Sequence, residues 1–370
     1  MSQSAKPPYI VPSMSQIRSI PWNGFNVVST FSGCGGSSLG YRMAGFRVLW
    51  ANEFIKEARD VYKANSSQKT YLDDRDIRDI NADEILERVG LERGEIDLLD
   101  GSPPCSSFSP VGKLEEGWGK VKKYSESKQR TDDLFFEFAR VLKGTQPKTF
   151  VAENVKGLIT GSAKGYFIQI LTALRASGYV VECRLLNASF LGVPQRRQRV
   201  IFVGVRNDIA NRYNLKPAYP KPLPYSYSLR DACPWIMNSR NDSGDYCEPV
   251  TINPEAEYKT GSCMRREYEK LSSYEVHSEK YFQLVKSNPD KPAYTVIAGS
   301  RGSSHPIQPR SFYIDEVIRI CSFPDDFALS GSYSQRWERL GRSVPPVMMM
   351  QISAAIRDNI LKPEKSKCAE

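Results

Sequence analysis

The chain has 370 residues, 40% apolar and 25% charged, with 51 basic against 42 acidic side chains and a net charge of +9. That is globular composition with room for two domains, and it excludes wholesale disorder, a collagen-like repeat and a coiled-coil rod. No apolar run reaches the ~18 residues of a membrane span and residues 1–24 hold no apolar signal core, so a cytoplasmic, non-membrane protein is expected, with a basic balance that suits a polyanionic partner.

Residues 1–24 carry four prolines and read as a loose arm. Phe25–Phe31 is a buried strand, followed at once by Ser32-Gly-Cys-Gly-Gly36 and a helix to about Gly45. A second strand, Phe46–Ala51, ends in Asn52-Glu53; a helix follows over 55–64, and a third short element ends near Asp76. Ile96–Asp100 is a strand that runs into Gly101-Ser-Pro-Pro-Cys105. After a lysine-rich segment come the helix Asp132–Lys143, the strand Lys148–Ala152 with Glu153-Asn154 at its end, a helix over 166–176, and strands over 179–187 and 199–205. Strands alternating with helices predict an α/β domain with a mostly parallel sheet. Residues 206–300 change texture: rich in Pro, Tyr, Ser and Asn, with 13 basic and 12 acidic side chains, they show no long periodic helix. Order returns at Asp315–Cys321 and in a helix over 347–361, and the last residues read as a frayed tail.

The eight cysteines form no Cys-x-x-Cys pair and there are two histidines, so no metal site is expected and the thiols read as free. His277 and His305 lie late in the chain with no Gly-x-Ser-x-Gly elbow, which argues against Ser-His-Asp hydrolysis.

The chemistry concentrates at strand ends, where open parallel sheets form their ligand crevice. Glycines after the first strand allow close backbone approach to a ligand, and Glu53, at the end of the second, suits ribose hydroxyls. The spacing fits neither a triphosphate loop nor the usual dinucleotide fingerprint. An adenosyl ligand without phosphates fits better, with Phe54 as a flat face for adenine and Asp76 as an acceptor for its amino group. Ser102-Pro-Pro-Cys105 would present a thiol at a fixed place, and a thiol there is a nucleophile. Glu153 lies across the same crevice, and Gln195-Arg-Arg-Gln-Arg199 supplies donors for phosphate or base oxygens. Taken singly, each admits a plainer reading: a glycine turn, a buried cysteine, a helix-start glutamate, a solvated basic turn.

In this order the segments resemble the DNA cytosine-5 methyltransferases of the bacterial restriction–modification type. The resemblance covers about 25–205 and 305–361, and rests on Phe31-Ser-Gly-Cys-Gly-Gly36, Asn52-Glu53, Pro103-Pro-Cys105 with Phe108-Ser109, Glu153-Asn-Val155, Gln195–Arg199 and Gly341–Pro346, with Leu186-Asn-Ala188 and Phe323-Pro-Asp325 in support. It implies a Rossmann-like S-adenosylmethionine-dependent methyltransferase sheet with a smaller, irregular target-recognition domain. The catalytic domain would be discontinuous, 25–205 plus 306–361, with recognition by 206–305 and flexible termini at 1–24 and 362–370. It implies Cys105 as nucleophile, Glu153 as the carboxylate that engages the base, and Arg197 and Arg199 as its support. The cofactor, S-adenosylmethionine, would lie among Phe31, Ser32, Gly33, Gly36, Ser37, Glu53, Phe54, Asp76, Ile77, Pro103, Leu134, Arg342 and Val344. Residues 106–130, with six basic against three acidic side chains, would close over DNA. Implied partners are double-stranded DNA and a cognate restriction endonuclease, with the enzyme a monomer. The tRNA cytosine-5 methyltransferases share these motifs, but usually carry Thr where Ser109 stands. Three departures are visible: Ser29-Thr30-Phe31 lacks the usual acidic residue, Arg342 replaces the usual Asn, and Cys321-Ser322 replaces the common Gln-Gly. Arg342 is expected to tolerate or assist cofactor binding.

Overall fold

The computed structural model describes residues 6–67, 69–104, 122–124, 127–129, 133–160, 163–238, 285–298, 303–308 and 310–368. Contacts divide the chain into two compact units, one of 15–186, 198–221 and 348–370, the other of 1–14, 187–197 and 222–347. Among the described residues no helix is long and apolar enough to cross a membrane.

The first unit holds a seven-stranded sheet: β1 Asn26–Thr30, β2 Arg47–Asn52, β3 Tyr71–Asp73, β4 Leu98–Gly101, β5 Thr149–Val155, β6 Tyr179–Asn187 and β7 Gln198–Arg206. Their spatial order is β3-β2-β1-β4-β5-β7-β6. Pairing is parallel from β3 through β5, whereas β7 runs antiparallel to β5, with Glu153 opposite Ile201 and Val155 opposite Arg199. The antiparallel strand therefore starts where β5 ends, which brings Arg199 to the carboxyl edge of the sheet. Connecting helices include α1 Gly36–Met43, α2 Lys56–Asn65, α3 Ala82–Val89, α4 Leu134–Thr145 and α5 Lys164–Ala176.

Helices lie between successive parallel strands, so the central strands are buried along their length and read as apolar runs. Val28, Leu99, Phe150 and Phe202 join Phe135, Phe138 and Val141 of α4 in one core. Its aromatics meet edge to face: Phe138 with Phe150 at 5.9 Å, Phe150 with Tyr179 at 5.2 Å, Phe135 with Phe202 at 5.5 Å. Gly204 and Gly101 make room for those rings, since an added Cβ would stand 2.0 Å from the Phe150 ring and 2.5 Å from the Phe138 ring.

Two stretches read as loose ends are ordered here. Met14–Ser19 is a short helix with Met14 and Ile17 buried. Lys362–Cys368 is helical, continuing a five-residue π turn, and its buried Glu364 lies 3.3 Å from Lys148 Nζ, which also pairs with Asp97 at 3.1 Å.

The second unit has its own buried ion pair, Arg310 bidentate to Glu316 at 2.8 and 2.9 Å. Trp337 donates to the Ile297 carbonyl at 2.9 Å, and the same carbonyl leaves no room at Gly341, where a Cβ would come within 2.5 Å.

Candidate active site

Each element of the crevice follows from a strand running out. After β1 the chain turns through Phe31 and Gly33, with φ of 52° and 56°, and Gly35 at 96°. For Phe31 this left-handed backbone is strained, a feature that concentrates at functional sites. The turn is pinned from below: Ser32 N donates to the Asn52 carbonyl at 2.9 Å, and Ser32 Oγ lies 3.0 Å from both the Ser29 carbonyl and Ser29 Oγ. Gly36 and Ser37 open α1, and both are buried.

Glu53 follows β2. One carboxylate oxygen accepts from Gly33 N at 2.8 Å, the other from Ile55 N at 2.6 Å. Phe54 beside it is 42% exposed, an unusual exposure for a large apolar ring and one that suits a stacking face. Asp76 does not end the third strand, which stops at Asp73. It caps a short turn over Ile77–Asp79 and accepts from Arg78, whose guanidinium spans to Asp133 at 2.8 Å. The displacement has a local cause: Asp73 is buried and folds back on Arg75 N and Nη2, closing the strand early. Ile77 is buried, and Asp133 immediately precedes Leu134, itself buried at the start of α4.

The turn fits an adenosyl ligand. A Cβ at Gly33 would point into open space, the Glu53 carboxylate is fixed in place, and the Phe54 ring is bare.

β4 leads to Pro103, which is buried; Cys105 and most of 106–130 lie outside the described residues. The approach to Cys105 is nonetheless held from both sides. Thr30 Oγ1 donates to the Asp100 carbonyl at 3.0 Å, and Asn154 Nδ2 to the Pro103 carbonyl at 3.3 Å. Beside Asn154, Glu153 Oε1 lies 2.7 Å from Arg199 Nε, both groups nearly buried. Burial pulls the Arg199 guanidinium below its ordinary range, with the Glu153 carboxylate acting the other way.

Asp100 was not singled out by the sequence. Its carboxyl is fully buried and accepts from Ser29 Oγ at 2.8 Å and Tyr41 Oη at 3.0 Å. Burial pushes it up from 3.8 to about 7; the two hydroxyls act against this, and the Glu153 charge adds to it. The signal was an acidic residue in phase with Leu98 on an otherwise apolar strand.

A family model for the C-5 cytosine-specific DNA methylases matches residues 25–358. The Type II methyltransferase M1.HphI of Haemophilus parahaemolyticus is 30% identical, over 89% of this chain and 86% of that protein. M.NgoPII of Neisseria gonorrhoeae, also a Type II methyltransferase, is 30% identical over 92% and 97%. This chain belongs to the C-5 cytosine-specific DNA methylases. A solved E. coli prophage-encoded protein, described as a DNA modification methyltransferase, superposes with a TM-score of 0.66 at 22% identity, covering 92% of this chain and 100% of that one. At that identity the likeness bears on the fold alone, a Rossmann-like methyltransferase sheet.

Arg197, Arg342 and Val344, singled out by the sequence, belong to the second unit. Arg197 is 2% exposed, and its Nη1 donates to the Val296 carbonyl at 2.9 Å. Val344 is buried, and Arg342 closes its helix with Nε donating to Glu338 at 2.7 Å. Ser322, at the place where glycine is common, takes a φ of 59° that glycine would adopt without strain; its hydroxyl accepts from Val347 N at 3.3 Å.

Proposed function

We propose that this methylase transfers the methyl group of S-adenosylmethionine to carbon 5 of a cytosine flipped out of double-stranded DNA, through a bond between Cys105 and carbon 6. The observation that carries the reading is the Glu153–Arg199 pair at 2.7 Å, its carboxylate on β5, the strand next to the one that leads to Cys105, and its guanidinium on β7. A buried carboxyl held by a cation has a fixed direction: it accepts from the exocyclic amine of cytosine and, when it carries a proton, donates that proton to N3 as the thiolate adds.

The residues that would hold the cofactor are Phe31, Ser32, Gly33, Gly36, Ser37, Glu53, Phe54, Asp76, Ile77, Pro103 and Leu134, and the family resemblance adds Arg342 and Val344. Bound S-adenosylmethionine supplies a methyl group on a sulfonium. The Cys105 thiolate adds to carbon 6 while Glu153 steadies the ring at N3 and Arg199 keeps Glu153 in place. Arg197 holds the main chain leading into β7. Addition places electron density on carbon 5, which would take the methyl while the pair of the methyl–sulfur bond stays on the donor sulfur; water or hydroxide then takes the carbon-5 proton, and the pair left behind expels Sγ from carbon 6 as the thiolate. General acid–base help of the kind Glu153 offers is worth ~10² to 10⁴-fold. The base must leave the duplex first, at a few kcal/mol of unstacking.

In this reading 25–205 and 306–361 form the catalytic part, and 206–305 selects the sequence. The enzyme acts as a cytoplasmic monomer alongside a restriction endonuclease for the same site, a role suggested by the Type II names of its relatives. Labelled methyl uptake into duplex DNA, present in the wild type and absent in Cys105→Ala, tests the reading. A trapped adduct on 5-fluorocytosine DNA tests the covalent step, since fluorine does not leave as a proton does. Uptake into tRNA with none into DNA would refute the substrate.

A further inference from the structure

Asp100 is a buried carboxyl beneath the glycine turn for which the proposed chemistry has no use. It lies five residues before Cys105, at the end of β4, and is 1% exposed. Its oxygens meet two hydroxyls: Ser29 of β1 at 2.8 Å and Tyr41 of α1 at 3.0 Å. Ser29 Oγ in turn lies 3.0 Å from Ser32 Oγ, inside the turn. The ionisable groups that face Asp100 are Tyr41 and Tyr62 from α1 and α2, and Glu153 from β5, whose charge is matched by Arg199.

These heavy-atom positions accept two orders of hydroxyl protons. When Asp100 is ionised it only accepts, so Ser29 donates to it and Ser32 donates to Ser29 Oγ. Ser32 Oγ then accepts nothing from Ser29, and a negative charge lies behind it through the Ser29 hydroxyl. When Asp100 carries a proton, that proton goes to Ser29 Oγ. Ser29 then donates to Ser32 Oγ, and Ser32 turns to the Ser29 carbonyl, also 3.0 Å away. One Ser32 lone pair is used up and the charge behind it is gone. A ligand bearing ammonium and sulfonium charges binds the first arrangement better.

We propose that Asp100 is a positioning residue that couples cofactor binding to proton release, its charge setting which way the Ser29 and Ser32 hydroxyls point. The inference rests on the reading of the glycine turn as the S-adenosylmethionine site. With a carboxyl near pH 7 in the free protein, about half of the molecules release a proton to buffer at that pH when the ligand binds.

The test is calorimetric titration of S-adenosylmethionine into the full chain between pH 6 and 8, in buffers of different ionisation enthalpy. Wild type should bind ~tenfold more tightly over that range relative to Asp100→Asn, and should release more protons than the variant. The ligand's own amine titrates near pH 8 in both proteins and cancels from the comparison. Tyr41→Phe, which removes one donor to the carboxylate, should move the wild-type midpoint to higher pH. Equal pH profiles and equal proton release in wild type and Asp100→Asn, both folded by thermal scan, would overturn the proposal. Absence of S-adenosylmethionine binding at every pH would instead overturn the reading of the turn, and this inference with it.

Discussion

Replacing Asp100 by Asn should make the protein more stable at pH 8 and leave it nearly unchanged at pH 4. The folded carboxyl titrates at about 7, against 3.8 ordinarily. Between those values the folded chain keeps a proton that the unfolded chain releases, so rising pH favours unfolding. Stability that is whole below pH 4 falls by about 1.4 kcal/mol per pH unit and levels off above 7, a loss of roughly 4 kcal/mol over the whole window. Between pH 5 and 8 the Asn variant should gain about 2–3 kcal/mol on the wild type. Other carboxyls, such as Asp73 and Asp208, are lowered by their arginine partners and lose stability as pH falls. They are common to both proteins, so the wild-type minus variant difference isolates Asp100. Urea unfolding at each pH measures it. A difference that stays constant from pH 5 to 8 would refute the claim that this buried carboxyl holds its proton.

Arg199→Met leaves Glu153 buried without its cation, and removal of one partner of such a pair costs about 3–5 kcal/mol; a melting temperature lowered far less than this implies would contradict the pairing. Arg199→Lys should recover part of the stability and less of the methyl transfer, because a lysine ammonium lacks the guanidinium's planar fork. Gly101→Ala forces a Cβ to 2.5 Å from the Phe138 ring and 2.7 Å from Thr30 Oγ1, at about 1–3 kcal/mol, and Phe138→Leu in the same chain should restore part of the melting temperature. Deletion of residues 362–370 strips Glu364 from Lys148. Burial works against the Lys148 ammonium, yet Asp97 and Glu364 more than offset it and raise its pKa, so the deletion should cost about 1–3 kcal/mol by urea unfolding at pH 7.

The strands were legible because a parallel sheet covered on both faces needs continuous apolar runs, and Tyr179–Asn187 falls where periodicity puts it. The glycine turn and Glu53 were legible for the same topological reason, since both follow directly from strand ends. Asp76 was misplaced because the event that closes β3, Asp73 folding onto Arg75, is a side-chain hydrogen bond with no periodic signature. The C-terminal helix was invisible: Lys-Pro-Glu-Lys-Ser-Lys-Cys is polar throughout, and its anchor is a pair between residues 148 and 364. Asp100 was overlooked for the converse reason. An acidic residue closing an apolar strand reads as the first residue of a loop, and only its burial against Ser29 and Tyr41 reveals it as part of the core.

The segment Gln195–Arg199 carries the sharpest lesson in what spacing conveys. Arg197 and Arg199 stand two apart, an interval that in one strand would put both guanidinium groups on one face. But β7 begins at Gln198, between them. Arg199, inside the strand, is set by its pairing with Val155 and meets a carboxylate. Arg197, before the strand, meets a backbone carbonyl at Val296, as Gln195 does at Ile320. A guanidinium on a carboxylate neutralises charge, and its loss strands an ion. On a carbonyl it fixes the course of a chain, and its loss strands a dipole. The two arginines of one motif therefore have different partners, a carboxylate in the first case and a main-chain carbonyl in the other. Substitutions should separate them by whether methyl transfer or folding fails first.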